Sequence, residues 1–125
     1  MREVASIELL TDVKDQLLND KAGQRLILIH VLNTKNIVIK DLLVGYYYAE
    51  AGQVCNVVLK EDTVEFKNDL TGIFTVEYET HYFMACSDNR YDSRNSMVIE
   101  FAIEVEKNVL ILRGEEVLER SPDSY

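Results

Sequence analysis

Ile73-Phe74-Thr75-Val76-Glu77-Tyr78-Glu79-Thr80-His81-Tyr82-Phe83-Met84 is the stretch on which the reading of this chain turns. Phe74, Val76, Tyr78, Tyr82 and Met84 occupy even positions, and Glu77, Glu79 and His81 occupy odd ones. A period of two marks a strand with one buried and one wet face. Residues 97–105 repeat the pattern: Met97, Ile99, Phe101, Ile103 and Val105 fall on one side, Val98, Glu100, Ala102 and Glu104 on the other. The two runs read as a strand pair joined by a polar segment, 86–96. Requiring like faces to match places Met84 opposite Met97, Tyr82 opposite Ile99, Tyr78 opposite Ile103 and Val76 opposite Val105. A slip of one residue would bury Glu77 and Glu79, so that register is rejected. The chosen register sets Glu77 opposite Glu104 and His81 opposite Glu100 on the wet face.

Working outward, the 125 residues fit one domain, expected over 1–120, with a polar tail at 121–125. A hydrophobic content of 47% is enough for a core without staples. Twenty-two acidic against 13 basic residues give a formal net charge of -9, which repels phosphate backbones and argues against nucleic-acid binding. The apolar runs are too short to span a bilayer as helices, and the first twenty residues lack the pattern of a secretory signal. The two cysteines, Cys55 and Cys86, are then expected as free, buried thiols in the cytoplasm.

Residues 2–10 alternate poorly and fit either an edge strand or a helix start. From Thr11, a plausible N-cap, the stripe Leu10, Val13, Leu17 and Leu18 predicts an amphipathic helix, with Gly23 ending it in the left-handed conformation. Residues 26–32 form a short, nearly continuous apolar run and are predicted as a buried strand, with His30 buried and hydrogen-bonded inside it. A turn at 33–36 leads to a second predicted strand, 37–48. Residues 54–60 and 63–67 read as a hairpin around Glu61 and Asp62. Leu110 and Leu112 are expected opposite Val105 and Ile103. The resulting expectation is α+β: a curved antiparallel meander of six or more strands, open or curled into a small barrel, with one N-terminal amphipathic helix.

Three constellations carry possible chemistry. Glu77, Glu79 and His81 project from one side of a strand, joined in the predicted register by Glu100 and Glu104. Carboxylates and an imidazole so placed can bind a divalent metal or exchange protons. A mixed-oxygen site needs closer convergence than neighbours on a flat strand provide, and the plainer reading is a solvated face with a Glu100–His81 contact. The segment 87–95 is long for a hairpin connection, and Arg90, Tyr91 and Arg94 within it suit recognition of polar groups. Tyr46, Tyr47 and Tyr48, as consecutive strand residues, cannot share a face. No Gly-x-Ser-x-Gly, Gly-rich phosphate loop, His-Glu-x-x-His or Cys-x-x-Cys motif occurs. No catalytic residue, metal ligand or cofactor is assigned.

Residues 72–86, ending Met84-Ala85-Cys86, together with the terminal strand pair resemble small lipocalin-like bacterial domains. The N-terminal helix and the absence of a glycine–tryptophan start depart from that pattern, and no residue is carried over. The resemblance implies a curved sheet or barrel holding a small ligand. The residues themselves point first to a small acidic, non-catalytic binding protein of inhibitor, immunity or adaptor type, meeting a protein partner or a second copy of itself through the acidic face, the 87–95 segment or both. An enzyme of unidentified chemistry is the third class.

Overall fold

The computed structural model describes residues 2–47, 52–84 and 89–116, with the side chains of 82–84 and 89–93 left aside. Among the described residues the chain forms one antiparallel sheet of five strands and three helices, an α+β fold. The elements run β1 (Val4–Glu8), α1 (Thr11–Asn19), α2 (Gln24–Thr34), α3 (Asn36–Tyr47), β2 (Gln53–Phe66), β3 (Thr71–Met84), β4 (Asn89–Glu104) and β5 (Val109–Arg113). Strand order is β1-β5-β4-β3-β2: a four-strand meander with the chain's first strand added beside its last. β1 and β2 are the two edges, so the sheet is open rather than a barrel. The ambiguous 2–10 segment is thus the edge strand, pairing Ile7 with Leu110 and Ala5 with Leu112.

The largest departure from the sequence reading is at residues 24–47, predicted as two strands and found as α2 and α3. Burial shows why the helix wins. Leu28, Ile29, Val31 and Leu32 are buried while Leu26 is 67% exposed, and Ile39, Leu42 and Leu43 are buried while Ile37 is exposed. Those spacings of one, three and four are helical, and a strand would put Leu26 and Leu28 on one face. The predicted turn at 33–36 survives as the α2–α3 junction, where Lys35 caps α2 through its N–H to Val31 O. His30 is exposed rather than buried.

The first helix is where the stripe predicts it, but Thr11 lies inside it and Leu10 takes the cap position with no side-chain bond. Leu17 is its buried residue. Gly23 does not end the helix left-handed: it has φ -100 and is the residue before α2. Its N–H is held at 3.0 Å by Asp20 Oδ1.

The core lies between the helices and one sheet face. Leu17, Leu28, Leu32, Ile39 and Leu43 meet Ile7, Leu59, Phe74, Val76, Ile99, Phe101, Leu110 and Leu112 there. Phe101 anchors one end, edge-on to Phe66 at 5.0 Å between ring centroids and stacked on Phe74 at 6.2 Å. It lies over Gly72, its cross-strand partner, where an added Cβ would come within 2.5 Å of the ring and 2.1 Å of Glu65 O.

The long pair is β3–β4, as expected, but its register differs. Val76 faces Met97, Phe74 faces Ile99, and Met84 faces Asn89. The slip relative to the expected pairing is an even number of residues, so both faces still match. Residues 89–95, expected in a connecting loop, belong to the strand. The same effect moves β5: Leu110 faces Ile103 and Leu112 faces Phe101.

The predicted hairpin at 54–67 is instead one strand, β2, with an irregularity between Lys60 and Glu65 where the two arms were expected to turn. Thr63 repairs that break, giving its hydroxyl to Lys60 O and accepting from Thr75 N at 2.8 Å. Arg25, at the start of α2, donates to Val64 O at 3.1 Å and to Glu61 O. A helix is thereby tied to the irregular edge.

Candidate functional site

Helices α2 and α3 pack on one face of the sheet, with α1 against α2, and the opposite face carries the candidate residues. β2 and β3 bring Cys55 directly opposite Glu79, and Gln53 opposite His81. Glu79 and His81 alternate along β3 and so share the outer face. Cys55 joins them from the neighbouring strand, opposite one and diagonal to the other. A second irregularity, between Cys55 and Val58, lies beside this trio, and there Asn56 adopts φ 53. That is a left-handed conformation that Asn tolerates better than most residues.

The thiol of Cys55, a carboxylate oxygen of Glu79 and a ring nitrogen of His81 all lie within 4.8 Å of one another, each residue half-buried. His81 Nε2 is 3.8 Å from Glu79 Oε2. The same oxygen accepts from Asn56 Nδ2, while Glu79 Oε1 lies 3.9 Å from Arg94 Nε. Arg94 is the cross-strand partner of Glu79 on β4. Next to this group an open groove of about 480 Å³ is lined by Asn56, Val58, Glu77, Glu79, Arg94 and Ser96, among others.

The expected acidic constellation is only partly assembled. Glu77, Glu79 and His81 share a face as predicted. Glu100 and Glu104 do not join them, because the register sets Glu100 opposite Ile73 and Arg113, and Glu104 opposite Val109. The face also carries its own cations. Lys60 Nζ lies 3.5 Å from Glu77, Arg94 sits beside Glu79, Arg2 is 2.9 Å from Glu100 and Lys107 is 3.6 Å from Glu104. Of the 87–95 residues, Arg94 is 91% exposed at the side chain on β4. Arg90 and Tyr91 occupy strand positions opposite Phe83 and Tyr82, and their side chains lie outside the described set. So does Cys86.

Tyr46 and Tyr47 stand on α3, not on a strand, and both reach the sheet. Tyr46 donates to Glu115 O at 2.6 Å and accepts from Glu3 N at 3.0 Å, tying the start of β1 to the chain beyond β5. Burial raises its pKa above the usual tyrosine value. Tyr47 and Tyr78 share a hydroxyl–hydroxyl bond of 2.7 Å. These are packing contacts, and Tyr48 lies outside the described residues.

Cys55 and Asn56 were not assigned to the site from sequence. With 54–60 read as half of its own hairpin, Cys55 had no reason to meet Glu79. No family model, curated protein or solved structure matches the chain. No helix among the described residues is long and apolar enough to cross a membrane.

Proposed function

We propose that this is a non-catalytic binding protein that receives a protein partner on the helix-free face of its sheet. The observation that carries the reading is the composition of that face around the groove. Val58 and Val98 are exposed there, 54% and 39%, on either side of the β3 residues Thr75 and Glu77. Branched aliphatics interleaved with charges of both signs suit an interface with an apolar centre and a polar rim. The local pairs at Glu77 and Glu79 remove the isolated acidic patch, but the net charge of -9 still favours encounter with a basic surface. The partner is therefore a protein presenting aliphatic side chains on a net basic surface, and the inhibitor, immunity or adaptor class fits such a role. A cytoplasmic location agrees with this role, since a free thiol such as Cys55 stays reduced there. The lipocalin-like alternative finds less support, since the sheet face that a barrel would turn inward is occupied by α2 and α3.

The test is a comparison of baits. Wild-type protein is set beside a Val58→Asp/Val98→Asp variant and a Leu26→Asp variant, Leu26 being exposed on the helical side. Each is first shown to be folded by thermal denaturation. A defined, basic, stoichiometric partner held by wild type and by Leu26→Asp but lost from the double variant supports the proposal. A partner lost only from Leu26→Asp, or only a second copy of this chain in sedimentation, overturns it.

A further inference from the structure

The geometry points to a divalent transition-metal site on the outer sheet face, formed by Cys55, Glu79 and His81 and suited to Zn²⁺. Val58 and Val98 are not among the ligands, so metal binding here does not depend on a partner docked on that face.

Three different donor types converge here: a thiol, a carboxylate and an imidazole, with donor atoms within 4.8 Å of one another. In a tetrahedral zinc site, bond lengths of about 2.0–2.3 Å put donors roughly 3.3–3.6 Å apart. The trio thus needs to close by about 1 Å, within reach of small side-chain rotations on a fixed backbone. Cross-strand pairing holds the Cα positions, with Cys55 opposite Glu79 and Glu79 two residues from His81. Flat strand neighbours alone converge too little for a metal, and it is Cys55, paired with Glu79 from β2, that brings a third donor within reach. The thiol from β2 changes the chemistry to the N/S/O set that zinc and cobalt favour over calcium or magnesium.

Charge agrees with this assignment. A thiolate and a carboxylate would balance a dication, with neutral imidazole as third ligand. Glu79 Oε2 faces His81, whereas Oε1 faces Arg94, so one oxygen can take the metal while the other stays beside the guanidinium. Asn56, already bonded to Glu79, supplies the outer contact that fixes a ligating carboxylate. Three protein ligands leave the fourth tetrahedral position for water or a donor from outside the chain.

The test uses reduced, metal-free full-length protein titrated with Co²⁺, followed by competition with Zn²⁺. One equivalent of Co²⁺ is expected to produce a thiolate-to-cobalt charge-transfer band, retained in Cys86→Ser and abolished in Cys55→Ser. Glu79→Gln and His81→Gln should each weaken binding by more than the roughly 10–100-fold that loss of an outer contact costs, and Asn56→Ala should fall within that smaller range. Zn²⁺ should raise the melting temperature of wild type but not of Cys55→Ser. Should Cys55→Ser fail to fold, alkylation of Cys55 in the Cys86→Ser protein replaces it: Zn²⁺ must slow the reaction and a chelator must restore it. Absence of the band, a band that follows Cys86 instead of Cys55, or no protection from alkylation overturns the site.

Discussion

Lys60 Nζ lies 3.5 Å from Glu77 Oε1, across the β2–β3 pair on the helix-free face of the sheet. That contact makes Glu77 a member of a mixed-charge surface rather than one of a row of repelling carboxylates. Glu104 has its own cation in Lys107 at 3.6 Å and lies opposite Val109, away from Glu77. Replacing both, Glu77→Gln with Glu104→Gln, should therefore lower stability by no more than about 1 kcal/mol, since exposed pairs contribute little. Denaturant midpoints at low and high salt check this. A gain in stability at low salt would mean that the carboxylates repel one another.

Residues 24–34 provide a sharper contrast. Leu26 and Leu28 are both leucines two positions apart, one 67% exposed and one fully buried. Leu28→Asp should cost several kcal/mol, because it buries a charge without a partner, while Leu26→Asp should stay within about 0.5 kcal/mol of wild type. Urea denaturation of the two variants measures the difference. Similar losses would return this segment to a strand with both residues on one face.

Gly72 lies against both Phe101 and the backbone of Glu65. A methyl group at Gly72 would meet backbone as well as the ring, at 2.1 Å from Glu65 O, so the backbone itself must move. Gly72→Ala should destabilise by about 1–3 kcal/mol, the range for overpacking. Phe101→Asp should cost more, since Phe101 is 2% exposed. Thermal denaturation reads both, and a neutral Gly72→Ala would show that β2 and β3 are not packed as closely as this.

Tyr46 gives the alkaline limb of the stability curve a specific origin. Burial raises its pKa, so the unfolded chain loses the tyrosine proton at lower pH than the folded chain does. Its contribution is fully present below about pH 10 and is lost as pH rises through the folded value. Tyr46→Phe should be less stable at neutral pH by about 1–2 kcal/mol, having lost the bonds to Glu115 O and Glu3 N. It should also fall less steeply above pH 10. Denaturation midpoints from pH 7 to 11 test this, and parallel curves for the two proteins would remove Tyr46 from the account.

The parts of the fold that follow a strict period were legible in the sequence, and the parts that depend on chain pairing were not. Alternation in 73–84 and 97–105 identified both long strands and the inward face, with Phe74, Val76, Ile99 and Phe101 all buried. Alternation cannot choose among registers separated by an even number of residues, because each keeps the faces matched. Arg90, Asp92 and Arg94 continue the alternation of Val98 and Glu100 backward, which argues against a long loop, but Asn89, Asp92 and Asn95 have low strand propensity. Helices α2 and α3 were hidden for the opposite reason: they are apolar on so much of their circumference, Leu26 and Ile37 included, that no polar face marks the turn of a helix. Glu79 and His81 were visible as a pair on one face. Cys55 was not, since its place depends on β2 being one long strand rather than a hairpin.

The central claim is the β3–β4 register, because it sets Glu79 beside Arg94, lines the groove and frees Glu79 and His81 from Glu100 and Glu104. Cross-strand proton contacts in the nuclear Overhauser spectrum of the labelled protein measure it directly. The account predicts contacts between Val76 and Met97 and between Glu79 and Arg94, with none between His81 and Glu100. Contacts between Met84 and Met97 together with His81 and Glu100 would contradict it, returning 86–96 to a loop.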